Sequence, residues 1–98
     1  MDIFGKYYST IITTGSEVYG SDLFDTIETD LGISPVTAKK LTAVSSGSLS
    51  VQLNDSGTYY VLSDYSGSYL LQLNAGDVYV NSLKIKEGGR TIFVEIVY

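Results

Sequence analysis

The sequence predicts a mainly β protein: a small antiparallel β-sandwich or barrel of about six or seven strands, with an N-terminal extended arm and one short helix at about residues 21–32. The runs between the later glycines are short and rich in Leu, Val, Ile and Tyr, which is typical of strands joined by tight turns. Those glycines recur at near-regular intervals: Gly47, Gly57, Gly67, Gly76, Gly88 and Gly89.

The chain has 98 residues and contains no cysteine, histidine or tryptophan. This length predicts a single domain over residues 1–98, which buries only about two-thirds of the surface that the unfolded chain exposes. Because neither a disulfide nor a His/Cys metal site can support the fold, stability depends on aliphatic residues and tyrosines, or on a partner that completes the core.

Residues 1–20 are expected to form the extended arm and the first strand, since the run 7–14 is β-branched and aromatic. The segment 21–32 is the one convincing helix. Ser21 is placed to cap its first turn, and Leu23, Phe24, Ile27 and Leu31 recur at helical spacing. Gly32 suits the left-handed position at the end of the helix.

Residues 36–98 are expected to form the β-sandwich, with turns at 54–57, 64–67 and 74–77. The apolar alternation changes phase near Asn81 and Ser82, which predicts a bulge or a corner there. The last strand, 91–98, is apolar on both faces, because Phe93 and Val97 lie opposite the Ile92 side. It is therefore expected to be central in a sheet or covered by something else.

The net charge of −5 is uneven: residues 1–38 carry six acidic residues and one lysine, whereas residues 39–98 are balanced. Nucleic-acid binding is not expected, because a phosphate backbone requires a basic face. The acidic segment either meets a basic patch near Lys84, Lys86 and Arg90 of a neighbour or is a solvated surface that aids solubility. No membrane span is expected, because no run approaches the required length of about 20 apolar residues.

Catalytic and metal-binding patterns are scarce. Without histidine, a serine nucleophile needs a lysine, and no Ser-x-x-Lys pattern opens a helix. Asp22, Asp25 and Glu28 share one helix face and could ligate Ca²⁺ or form an acid/base pair, but the solvated face of an amphipathic helix is the favoured interpretation. We therefore expect a non-enzymatic protein without a cofactor.

The chain contains nine tyrosines and three phenylalanines. Tyrosine suits protein interfaces, because its ring buries apolar area while its hydroxyl finds a polar partner. Ordinary cross-strand packing also accounts for any single tyrosine. The residues expected at a subunit interface are Tyr7, Tyr8, Phe24, Ile27, Tyr65, Phe93, Val97 and Tyr98.

Together, the extended start, the small acidic helix and the Ser/Gly/Tyr-rich β region resemble small virion proteins of tailed bacteriophages: head-decoration, head-fibre base, or neck and tail accessory modules. Residues 78–98 carry most of this resemblance, with the run V-N-S-L-K-I-K, then G-G, and the ending V-x-x-V-Y. The resemblance implies a homo-oligomer, with a trimer favoured, that docks on a major capsid or tail protein. It places the chain in the virion after synthesis in the bacterial host cytoplasm.

A carbohydrate-binding or adhesion module is the alternative. In that case Tyr65 and the neighbouring turn residues would form a glycan platform. The absence of tryptophan, the usual stacking residue for sugars, argues against this alternative.

Overall fold

The computed structural model describes residues 6–16, 19–73 and 79–98. It is a β-sandwich of two antiparallel sheets with one short helix, as predicted, and eight strands lie within the described residues. The elements are β1 Tyr7–Thr13, α1 Leu23–Leu31, β2 Lys40–Ser45, β3 Ser50–Leu53, β4 Tyr60–Val61, β5 Ser63–Tyr65, β6 Ser68–Leu73, β7 Leu83–Ile85 and β8 Thr91–Val97.

The larger sheet has the strand order β1-β8-β2-β6-β5, and the smaller sheet has the order β4-β3-β7. The last strand, β8, therefore lies between β1 and β2, which confirms that it is central. After the turn at 54–57 the chain forms β4 in the smaller sheet and then β5 in the larger one, so the turn predicted at 64–67 begins only after Tyr65. The chain crosses from one sheet to the other at Leu62, which is buried between them.

β1 is part of the sandwich and not a free arm. It pairs antiparallel with β8 over its whole length, from Tyr7 opposite Val97 to Thr13 opposite Thr91. The pairing continues beyond the strand, where the Thr14 N–H donates to the Arg90 carbonyl at 2.9 Å. The expected arm is thus an edge strand of the subunit's own sheet from residue 7 onwards, and residues 1–5 lie outside the described residues.

The N-cap of α1 lies one residue later than predicted, and the helix begins at Leu23. Asp22, and not Ser21, is the N-cap, because its carboxylate accepts a hydrogen bond from the Phe24 N–H at 3.0 Å. Gly32 ends the helix in the left-handed conformation at φ 71°, as predicted.

The core lies between the two sheets and the helix. Alternate residues of β8 and β2 fill it from the larger sheet, and β3 and β7 close it from the other side. Each fully buried aliphatic side chain contributes about 1.5–3 kcal/mol through removal of apolar area from water. The largest such aliphatic residues are Ile27, Leu41, Leu49, Leu83, Ile85, Ile92 and Ile96.

Of the bulge or corner predicted near Asn81 and Ser82, the structure shows a corner. Val80 bridges to Ala38, just ahead of β2 in the larger sheet, whereas Leu83 pairs with Leu53 in the smaller sheet. The phase of the apolar alternation changes because the chain changes sheets between these positions. The turn at 54–57 is confirmed by positive φ at Asn54 and Asp55. The turn expected at 74–77 lies outside the described residues.

Within the part of the chain that the structure describes, no helix is long and apolar enough to cross a membrane.

Candidate functional site

The face of the larger sheet that points away from the core carries a row of apolar side chains. Ile11 lies opposite Phe93, Phe93 lies opposite Val44, and Val44 lies opposite Leu70, so the row crosses four neighbouring strands. Ile11 is 66% exposed and Phe93 is 38% exposed, while Val44 and Leu70 are half-buried. We call this side of β1, β8, β2 and β6 the outer face, and these four residues the apolar row.

Polar residues flank the apolar row. The next row along the strands is Ser9, Glu95, Thr42 and Gln72. Beyond it, Tyr7 and Lys40 lie on either side of Val97. The Tyr7 hydroxyl donates to the Glu95 carboxylate at 2.6 Å, and this bond raises the pKa of the Tyr7 phenol. These residues hold one acidic and one basic side chain, so the outer face has no excess charge.

The acidic helix lies on the other side of the larger sheet. Tyr8 points to the core side of β1, where it is half-buried, and its hydroxyl donates to the Asp30 carboxylate on α1. Partial burial and this hydrogen bond raise the pKa of the Tyr8 phenol. The helix and the smaller sheet thus cover the core side, and the described part of the chain leaves the outer face open to solvent.

Three of the predicted interface residues share the outer face. Tyr7 is 63% exposed, Phe93 is 38% exposed, and Val97 is half-buried between Tyr7 and Lys40. Alternation along β1 and β8 brings them together, because Tyr7 and Val97 are directly opposite each other and Phe93 is four residues before Val97. The structure therefore gives these three residues one common surface.

The prediction for two helix residues was wrong. Phe24 is 1% exposed and Ile27 is completely buried, and both belong to the core of their own subunit. The apolar face of α1 packs inward against the sandwich, so it has no free surface to offer a neighbour. A small domain of this length uses its one amphipathic helix to close its own core.

Tyr8 and Tyr98 are half-buried residues that pack against the core, and they do not join the outer face. Both occupy core-facing positions of the register, since even-numbered residues of β1 and β8 point inward. Tyr65 is the last residue of β5, but its side chain lies outside the described part of the structure.

Sequence reasoning missed Ile11, Val44 and Leu70, which complete the apolar row. Their strands are far apart in sequence, so only the register of the sheet brings them into line with Phe93. The one available signal was the apolar outward side of the last strand. A central strand that is apolar on both faces indicates apolar neighbours on its outer side.

The acidic residues of the helix are partly used inside the subunit. The Asp22 carboxylate accepts from the Leu83 N–H at 2.9 Å and from the Ser82 hydroxyl at 2.8 Å, which ties the helix start to β7. Glu28 accepts from the Val36 N–H at 2.8 Å. The favoured interpretation of a wholly solvated row therefore holds for the exposed Asp25 but not for Asp22 and Glu28.

The basic residues expected to meet a neighbour also have contacts within the subunit. Lys84 forms an ion pair with Asp55, which raises the pKa of the lysine. The Arg90 guanidinium donates to the Ser48 carbonyl at 2.7 Å, across the turn that follows β2. Lys86 lies 5.2 Å from the Tyr59 ring centroid. These contacts give the basic residues roles in their own fold.

Two open clefts border the helix, one of about 530 Å³ beside Thr10, Asp25 and Asp30, and one of about 430 Å³ beside Glu28 and Ile33. Across residues 6–16, 19–73 and 79–98, no group of three or more His, Cys, Asp or Glu residues is arranged to hold a metal ion. The clefts thus offer carboxylates and hydroxyls without an evident metal site among the described residues.

Comparison of the chain with protein-family models, curated proteins and solved structures found no match.

Proposed function

We propose that this protein is a non-enzymatic structural subunit of a tailed-phage virion that assembles with copies of itself and docks on a capsid or tail protein. The observation that supports this proposal most strongly is the apolar row on the outer face. A solvated sheet face does not normally carry a continuous row of four apolar side chains across four strands. Such a surface suits a protein contact.

The chemistry of the outer face favours a protein partner. Its two charged residues, Glu95 and Lys40, balance each other, so the face neither attracts nor repels a charged polymer strongly. Its apolar centre and polar flanks match the anatomy of protein interfaces, which have an apolar core and a polar rim. The acidic helix residues lie on the opposite side of the larger sheet, so they add no charge to the outer face.

In this proposal the sandwich is the rigid body and the outer face is the docking surface for the larger virion protein. Phe93, which lies between Ile11 and Val44, is the natural anchor of the contact. Aromatic side chains near the centre of an interface carry a large share of the binding energy. Tyr7 and Val97 add contact area at one end of the surface.

The direct test is the protein content of purified particles from the phage that encodes the chain. The proposal predicts that the chain is present in the particle, detected by quantitative mass spectrometry. It also predicts that Phe93→Ser reduces incorporation, while the matched outer-face change Gln72→Ser leaves it unchanged. Particles that lack the chain would contradict the proposal.

A carbohydrate-binding function is the second candidate, and one cluster favours it. The Tyr19 and Tyr59 ring centroids lie 5.9 Å apart, the Lys86 ammonium lies over both rings, and Tyr19 is 70% exposed. An exposed ring beside an ammonium suits stacking on an acidic sugar. Calorimetric titration with uronate-containing and neutral oligosaccharides tests it: binding that Tyr19→Ala abolishes favours this function, and no binding rejects it.

A further inference from the structure

β1 forms an edge of the larger sheet. It is seven residues long, and β8 pairs with it on one side. On its other side, no strand pairs with it within the described ranges 6–16, 19–73 and 79–98. An edge strand presents backbone N–H and C=O groups that a further strand can bond.

The hydrogen-bond pattern shows which residues of β1 carry those groups. The Tyr98 N–H donates to the Lys6 carbonyl, and the Thr14 N–H donates to the Arg90 carbonyl. Because hydrogen-bonded and non-hydrogen-bonded pairs alternate along an antiparallel ladder, the even-numbered residues of β1 bond β8. The residues that direct their N–H and C=O groups to the free side are Tyr7, Ser9, Ile11 and Thr13.

The residues of β1 lack the sequence features that usually protect an edge. Its sequence contains no charge, no proline and no glycine, and its register with β8 is unbroken. The opposite edge differs, since β5 has three residues and includes Asp64. In the smaller sheet, β4 has two residues. The free side of β7 is bonded by the chain ahead of α1, where the Gly20 N–H donates to the Ile85 carbonyl.

We propose that a second copy of this chain pairs with β1 through its own β1, antiparallel and about a two-fold axis. This inference rests on the proposed function, because it names the contact through which copies assemble. A strand from a capsid or tail protein is the competing occupant. The copy is favoured because β1 is uncharged, so self-pairing places no like charges opposite each other.

The pairing register follows from the two faces of β1. A shift by one residue would turn the core side of one copy toward the outer face of the other, so odd-numbered residues must pair with odd-numbered ones. The register centred on Thr10 uses the whole strand. It places Tyr7 opposite Thr13 of the second copy and Ser9 opposite Ile11 of the second copy, with Thr10 of each chain at the axis.

This contact joins the two larger sheets into one continuous sheet. Their outer faces then lie side by side on the same surface, and each copy contributes an apolar row. The dimer would therefore present a wider docking surface than one subunit does. A two-fold contact by itself makes a dimer, so the stoichiometry separates this inference from the trimer that the resemblance implies.

The first experiment removes one outward-facing N–H without disturbing the bonds to β8. In Ser9→Pro the proline ring lies on the free side of β1, and an edge strand tolerates proline at such a position. Light scattering coupled to size exclusion is expected to show a dimer for the unmodified chain and for the control Ser9→Ala. Ser9→Pro is expected to raise the dissociation constant of the dimer by at least about tenfold. The proline in each copy lacks the N–H that would donate a hydrogen bond near the centre of the pairing. A dimer that Ser9→Pro does not weaken overturns the inference.

The second experiment does not depend on how well the proline variant folds. At a non-hydrogen-bonded pair on the axis, the two Thr10 Cα atoms would lie about 4.5 Å apart, within the range that a disulfide spans. The chain has no natural cysteine, so Thr10→Cys introduces a single thiol. Mild oxidation is expected to link Thr10→Cys into a covalent dimer far faster than the control Gln72→Cys, which lies on β6 away from the edge.

Equal cross-linking of the two cysteine variants overturns the inference. A trimer of the unmodified chain also overturns the inference but leaves the proposed virion role supported. A monomer has the same two consequences if the chain is nevertheless found in particles. A chain that dimerises through β1 but is absent from particles supports the edge contact and rejects the virion role.

Discussion

Ile11 and Phe93 lie directly opposite each other across β1 and β8, on the face of the larger sheet that the core does not use. Their immediate neighbours Ile12 and Ile92 form the matching pair on the core side. Two adjacent cross-strand pairs of similar composition therefore meet different environments. One pair helps to hold the subunit together, and the other is available to a partner.

This difference predicts the effects of two neighbouring substitutions. Ile92→Ala removes a fully buried side chain and is expected to lower the free energy of unfolding by about 2–5 kcal/mol. Phe93→Ala removes a partly exposed side chain and is expected to cost about 1 kcal/mol or less. Urea denaturation at low protein concentration measures both. Equal costs for the two variants would mean that the faces of β8 are assigned incorrectly.

Asp22 is predicted to be more important for stability than the other acids of the helix. Its carboxylate caps α1 and also accepts from Leu83 and Ser82. Asp22→Ala leaves these donors without their partner, so it is expected to cost about 2 kcal/mol or more. The matched control Asp25→Ala removes an exposed acid of the first turn and is expected to cost under about 1 kcal/mol. Thermal or denaturant unfolding of the two variants tests this ranking. A larger loss of stability in Asp25→Ala than in Asp22→Ala would contradict it.

Gly88 is predicted to tolerate no side chain. A Cβ at this position would collide with the backbone carbonyl of Gly15, where the end of β1 passes the turn before β8. Gly88→Ala is therefore expected to lower the free energy of unfolding by about 1–3 kcal/mol, because backbone must move. Gly15→Ala is the control, since its added Cβ meets no atom within 4 Å. If both variants were equally stable, the close approach of these two segments would be disproved.

The Tyr8 phenol is predicted to make stability fall at alkaline pH. Its pKa lies above the ordinary value of 10.0 because of burial and the hydrogen bond to Asp30. The unfolded chain therefore loses this proton first. The contribution to stability is complete below pH 10.0 and is lost as the pH rises through the pKa of the folded protein.

In Tyr8→Phe the decline in stability above pH 10.0 is expected to be shallower than in the unmodified chain. Denaturant unfolding at a series of alkaline pH values measures both slopes. Identical slopes for the two proteins would show that the Tyr8 contact does not persist in solution.

Much of the local structure could be predicted from the sequence, because local chemistry determines it. Gly32 and the spacing of Phe24 and Ile27 predicted the helix and its end. The phase change at Asn81 predicted a bulge or a corner, and the chain changes sheets at this point. Asp22 replaced Ser21 as the cap because its carboxylate also satisfies donors on β7, a contact across 61 positions of sequence that no local pattern contains.

The candidate site was less predictable, because residues far apart in the sequence form it. Phe93 and Val97 were recognised, because both faces of one strand can be compared within its own sequence. Ile11, Val44 and Leu70 join them only through the strand order β1-β8-β2-β6. The burial of Phe24 and Ile27 likewise depended on whether the helix packs on its own sandwich or on a neighbour, which helical periodicity alone does not decide.

The central claim is that one subunit leaves sheet surface uncovered and that copies of the chain associate to cover it. Sedimentation equilibrium of the unmodified chain over a wide range of concentration tests it most directly. The account predicts reversible association into a discrete oligomer, with amide protection of β1 increasing on assembly. A single monomeric species at every concentration, with Ile11 and Phe93 open to solvent throughout, would contradict it.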